Sequence, residues 1–197
     1  MRTFASVSLV VAMAATPFTV FAADKAKAAA PAATALKGTI GFVGSKVTGQ
    51  HVGNFKEWSG TASLKDGKVA GGKLEFTVQT GSVEVDTDNA NAFTPKLLEH
   101  LKSPDFFDVA KFPTAVFKSS SIKADGAAFK ITGNLTLHGV TKQIEFPATV
   151  TVTGKNIEGK AEFTINRKDF GIAFAGKPDD LIREGVVLKI AVTGTEP

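Results

Sequence analysis

The sequence predicts an all-β domain: an eight-stranded antiparallel barrel with a short helix at one end, preceded by an export signal. Three observations carry that expectation. Apolar and polar residues alternate with period two along most of the chain beyond residue 37, as half-buried strands do. Asp-Gly, His-Gly and Lys-Asn pairs punctuate the alternation at hairpin distances. No helical pattern is long enough to build a second layer, so a sheet with one apolar face must cover that face itself. Eight strands is the number at which a sheet closes with room for one small ligand. Periodicity does not report closure, and a two-sheet sandwich of the same strands is the alternative.

The first 22 residues read as a cleaved signal. Arg2 supplies the positive start and Val7 to Ala15 the apolar run. Val20-Phe21-Ala22 then sets up a cut before Ala23. The run is shorter than the roughly 20 residues that cross a bilayer, so a transmembrane anchor is not expected. Residues 23–36, rich in Ala, Lys and Pro, lack an apolar face and read as a disordered tether. The domain is expected over 37–197, long enough to bury its own core. The chain has no cysteine, hence no lipoprotein anchor and no disulfide, and an exported, unstapled domain fits a periplasm.

The elements follow in order. Ile40 and Phe42 share a face of the first strand. Trp58, Gly60, Ala62 and Leu64 share one in the second, and Asp66-Gly67 turns the chain into a third with Leu74, Phe76 and Val78. Thr94 is placed to cap a helical turn with Pro95 at its first position and Leu97, Leu98 and Leu101 at helical spacing; Ser103-Pro104 ends it. So short a helix must dock its leucines on the barrel. Ala115, Phe117, Ser119 and Ser121 mark the next strand, and Asp125-Gly126 leads to Phe129, Ile131, Gly133, Leu135 and Leu137. After His138-Gly139 come Ile144, Phe146, Ala148, Val150 and Val152. Lys155-Asn156 turns into Ala161, Phe163 and Ile165, and Val186, Leu188, Ile190 and Val192 form the last strand. Ala173 to Glu184, around Pro178, reads as a strandless loop at a barrel end, where a lid or entrance belongs.

Composition excludes some functions. The net charge of +4, or +3 once Arg2 leaves with the signal, is dispersed singly along the strands. Nucleic-acid binding would need a clustered basic patch. There is no tyrosine and one tryptophan, but 16 phenylalanines, of which Phe4, Phe18 and Phe21 belong to the signal. Rings without a polar handle need a dry place, either a filled core or the wall of a cavity.

Catalysis has no positive support. His51, His100 and His138 match no local metal-ligand spacing and lack cysteine partners, so no metal is expected. Asp105 with Asp108, and Asp179 with Asp180, sit beside Pro or a strand start, where Asp is a routine turn residue. No Gly-x-Ser-x-Gly elbow occurs, and Gly71-Gly72 precedes no helix that could hold a phosphate. Phe106-Phe107 and Phe112-Pro113 either plug one barrel end or line the mouth of a pocket.

Three stretches carry a resemblance. Leu98-Glu99-His100-Leu101-Lys102-Ser103-Pro104-Asp105-Phe106-Phe107-Asp108, continued by Lys111 to Ser119, resembles the most recognisable segment of the YceI-like family. Gly133-Asn134-Leu135-Thr136-Leu137-His138-Gly139-Val140-Thr141-Lys142 and Phe163-Thr164-Ile165-Asn166-Arg167-Lys168-Asp169-Phe170-Gly171-Ile172 are similar to its second and third signatures, in the same order. The resemblance implies an exported lipocalin-like barrel whose apolar lumen holds a polyisoprenoid, such as a prenyl phosphate or a long-tailed quinone. The N-terminal end departs from the pattern: Lys46 stands where a second histidine is usual, and is a candidate to meet a phosphate head group.

The expected function is therefore non-catalytic binding, with possible transport or storage, of an isoprenoid lipid by a monomer or homodimer, without a cofactor. The lumen residues expected on the more apolar strand faces are Phe42, Trp58, Leu74, Phe76, Phe117, Phe129, Leu135, Phe146 and Phe163. Leu97, Leu98, Leu101, Phe106 and Phe107 are the expected lid or mouth. An enzyme acting on a small hydrophobic substrate, and a filled structural or stress-response barrel without ligand, are the alternatives.

Overall fold

A computed structural model describes residues 33–197. The expected signal and residues 23–32 of the expected tether lie outside the described residues. Twelve strands and one α-helix follow in order: β1 (Thr34–Lys46), β2 (Gly49–Phe55), β3 (Trp58–Lys65), β4 (Lys68–Gln79), β5 (Val83–Val85), α1 (Thr94–Lys102), β6 (Thr114–Asp125), β7 (Ala128–Leu137), β8 (Val140–Thr153), β9 (Asn156–Asn166), β10 (Gly176–Lys177), β11 (Asp180–Leu181) and β12 (Gly185–Thr195). The first strand takes in Thr34, Ala35 and Leu36, which sequence pattern alone assigns to the tether. They are held by pairing with β3 and β12, which a local pattern cannot show.

Eight strands close a ring, β1-β3-β4-β6-β7-β8-β9-β12, with β12 pairing back onto β1 from Leu36↔Gly194 to Val43↔Val187. The barrel is thus closed and the sandwich alternative is set aside. The far half of β1 pairs with β2, and β5 pairs with β2 in turn, so β2 and β5 extend the wall beyond β3 and β4. The ladder is incomplete at two seams. Strand β8 meets β9 only over Thr149–Thr153 and Asn156–Lys160, and β4 meets β6 only over Glu75–Gln79 and Thr114–Lys118.

The turns lie where their backbones demand. Asp66-Gly67 and His138-Gly139 have both residues at positive φ, as a two-residue hairpin loop of right-handed twist requires. The β8–β9 hairpin turns on Gly154-Lys155, with Gly154 at φ 58°, one residue ahead of the expected pair. Helix α1 includes Thr94 rather than starting after it; the Thr94 hydroxyl accepts the Asn91 N–H at 2.9 Å instead of capping the helix. The expected strandless loop around Pro178 contains the small β10–β11 hairpin.

A recurring contact shapes the interior. Phenylalanine rings lie over glycines of adjacent strands: Phe42 over Gly53, Phe76 over Gly60 and Phe117 over Gly133. A methyl at Gly53 would stand 2.2 Å from the Phe42 ring. Alanine in a strand gains up to about 1 kcal/mol over glycine from backbone entropy, but overpacking a core costs about 1–3 kcal/mol. Gly53→Ala is therefore expected to lower stability, with the Phe42 ring driven into the lumen. Chemical denaturation checks the sign, and a stabilised variant would refute it.

Candidate functional site

Successive residues of a strand face opposite sides, so period two aims one set of side chains at the barrel axis. At the α1 end that set surrounds a cavity of about 180 Å³. Its wall takes Phe42, Phe76, Phe117, Leu135, Phe146 and Phe163 from the expected lumen residues, and Phe55, Val78, Ile144, Ile165, Leu188 and Ile190 besides. Phe146 and Phe163, from the two strands that part at the β8–β9 seam, stack at 4.1 Å with 5° between their planes. A second cavity of about 70 Å³ follows toward the other end, lined by Leu74, Ile122, Ile131 and Val150. Phe76, Phe146 and Ile190 line both and form the constriction between them. Trp58 and Phe129 line neither. Both are half-buried against the core, Trp58 with its ring edge-on to Phe76 at 6.0 Å.

The mouth is built by α1, the turns after it, and the segment 171–184. Leu101, Phe106 and Phe107 line the cavity, whereas Leu97 and Leu98 pack behind them on the cluster of Phe42, Val83, Val85 and Leu101. Phe107 meets Phe55 at 5.6 Å and Phe42 at 6.0 Å, both edge-on. His100 packs edge-on to Phe106 at 5.0 Å and to Phe174 at 4.8 Å, tying α1 to the opposite segment. Phe112 does not reach the cavity wall; it packs against His138 at 4.7 Å.

Lys46 does not line the cavity either. Its ammonium is bound to Asp180, which also accepts the Thr48 N–H and hydroxyl at 3.1 and 3.0 Å. The Lys46 hydrogen bond, helped by Thr48, holds the Asp180 carboxyl below the usual carboxylate range. Lys46 thereby clamps β11 to the end of β1.

The histidines stand apart. His51 Nδ1 lies 2.5 Å from Asp86, His100 Nε2 2.8 Å from Asp105, and His138 Nδ1 3.2 Å from the Phe170 carbonyl oxygen. Among the described residues no group of His, Asp or Glu is placed to hold a metal.

Sequence reasoning missed the polar part of the mouth. Arg167 and Arg183 line the cavity, and no other charged residue does. Arg167 is 3% exposed, and its Nε, Nη1 and Nη2 groups donate to the carbonyls of Arg183, Ile172 and Ile182 at 3.1, 2.7 and 3.2 Å. Burial lowers its proton affinity and Glu184 opposes the shift. The guanidinium remains charged at any physiological pH. A signal was there to read: Phe163 and Ile165 share the inward face of β9, and Arg167, the first residue beyond the strand, continues their period of two.

A closed antiparallel barrel with an aromatic and aliphatic lumen, capped by a helix at one end, has the architecture of a binding protein for hydrophobic ligands. The particular kind can be stated. The chain belongs to the YceI-like family, whose domain model matches residues 31–194. It is 39% identical over 126 residues to Protein YceI of Salmonella arizonae, and equally to that of Salmonella newport. Those matches span 61% of this chain and 62% of the relatives' length. Among solved structures, Burkholderia cenocepacia BcnA shares the fold with a TM-score of 0.69 at 23% identity, over 80% of this chain and 96% of BcnA. The Campylobacter jejuni YceI protein aligns with a TM-score of 0.57 at 27% identity, over 74% of this chain and 84% of its own.

Proposed function

We propose that this protein binds and carries, without catalysis, a polyisoprenoid lipid in the periplasm, the hydrocarbon chain entering the barrel beneath α1. The observation that supports this most is the lumen wall: apart from two arginines at the mouth, every lining side chain is hydrocarbon or glycine. Such a wall offers about 25 cal/mol per Å² of apolar surface buried and no group able to act as a base. Leu101, Phe106 and Phe107 serve as the cover of the entrance.

Size bears on how the chain is held. A cavity of about 150 Å³ takes one benzene-sized group, so 180 Å³ seats a short stretch of an isoprenoid. A longer chain passes the constriction when the Phe76 and Phe146 rings turn aside and join the second cavity to the first. The same modest volume favours the second reading, a barrel that is simply filled.

The two separate by experiment. Protein recovered from a periplasm is extracted with organic solvent and the extract examined by mass spectrometry, while titration with geranylgeraniol is followed through Trp58, the single tryptophan. Its contact with Phe76 makes it a reporter of the lumen. Recovery of about one apolar lipid per chain, with a saturable Trp58 response, is expected. Repeated extracts without lipid and a flat titration would leave the filled barrel standing.

A further inference from the structure

A lumen that holds only hydrocarbon needs no cation at its mouth, yet two are there. A buried charge without a partner is costly, and the direct hydrogen bonds of Arg167 go to three backbone carbonyls, with Glu184 acting on it only from a distance. Those bonds leave N–H donors of its guanidinium over. Arg183 is joined to it, since the Arg183 carbonyl is one of the three acceptors, and the Arg183 N–H is fixed on the Ser45 carbonyl. The Arg183 side chain is exposed, borders the cavity, and has no ion-pair partner among the described residues. Two carboxylates of the same segment are engaged elsewhere, Glu184 by Lys168 at 2.6 Å and Asn166 at 3.1 Å and Asp180 by Lys46 and Thr48, and the exposed Asp179 makes no ion pair with Arg183. Arg183 therefore presents a positive charge without a direct carboxylate partner at the rim of an apolar shaft.

We propose that Arg183, backed by Arg167, receives the acidic head group of an amphipathic lipid whose tail occupies the lumen, an assignment that rests on the carrier reading above. The guanidinium fork matches a phosphate or a carboxylate with two parallel hydrogen bonds. It offers nothing of that strength to an alcohol. Arg183 touches the ligand; Arg167 is a positioning residue that holds the 171–183 backbone on which Arg183 is mounted.

Chain-matched pairs test this: geranylgeranyl phosphate against geranylgeraniol, and hexadecanoate against hexadecanol, each titrated into the purified protein and followed by Trp58 fluorescence. The acid is expected to bind about tenfold more tightly than its alcohol in at least one pair. The pair with the larger ratio distinguishes phosphate from carboxylate. Arg183→Gln should bring the ratio to about one and Arg183→Lys should keep part of it; the side chain is exposed, so the fold is expected to survive either change. A ratio near one in the unmodified protein, or a ratio that survives Arg183→Gln, overturns the head-group assignment and leaves the lumen reading intact. Failure of all four ligands to bind overturns both.

Discussion

Phe146→Ala is expected to destabilise the protein by about 3–5 kcal/mol, the usual cost of removing a buried phenyl ring. Phe146 is 3% exposed, stacks on Phe163 and tilts against Phe117 at 5.5 Å, so its neighbours lose a ring on two sides. For a domain of this size that is a fall of roughly 6–20 °C in thermal midpoint. The ring also stands between the two cavities, so its removal joins them into one longer shaft. Small apolar molecules should then restore part of the lost stability, because they bind the folded state alone. Phe129→Ala is the comparison: Phe129 is only half-buried and lines neither cavity, and the loss should be smaller, without rescue by such molecules. Differential scanning calorimetry with and without benzene measures both. A cost for Phe146→Ala below about 1 kcal/mol would mean that the ring is not part of a packed wall.

Arg167→Leu should cost about 2–4 kcal/mol. Three bonds from a charged donor are lost, each worth about 1.5–3 kcal/mol. Removing the buried charge returns several kcal/mol of desolvation. The first effect wins because the carbonyls of Ile172, Ile182 and Arg183 are left without their donor. Lysine should not rescue, since a point charge on a flexible stem cannot reach three carbonyls at once. The damage should be local. Amide exchange should quicken at Ile172, Ile182 and Arg183, whose N–H groups bond to the Arg167, Ala175 and Ser45 carbonyls. Unchanged exchange there alongside a global loss of stability would make Arg167 a packing residue and not the pin of the segment.

The eight barrel strands were legible because each alternates apolar and polar residues over a half-buried wall. Strand β2 was not: Gly49-Gln50-His51-Val52-Gly53-Asn54-Phe55 has two glycines and little alternation, one of the glycines being covered by the Phe42 ring. The candidate site was legible by face but not by height. Period two put Trp58, Leu74 and Phe129 on inward faces, yet it says nothing of how far along the axis a residue lies or whether space remains before it. Leu97 and Leu98 show the same limit on a helix: their spacing predicts docking, and they dock behind the residues that reach the cavity. Lys46 was invisible in another way. Its partner Asp180 lies 134 positions away, and only the closed ring brings β11 beside the end of β1.

The β8–β9 seam has a mechanical meaning. Along Val140–Ala148 and Ala161–Asn166 no ladder joins the two strands, and the stacked rings of Phe146 and Phe163 bridge the gap. A complete hoop of hydrogen bonds could widen only by breaking bonds worth about 1 kcal/mol each. A split hoop widens by sliding two aromatic faces apart, at about 0.5–1.5 kcal/mol beyond the area they expose. The bore is thus softest where a ladder is missing, and at the β8–β9 seam two aromatic faces, not backbone hydrogen bonds, set its girth.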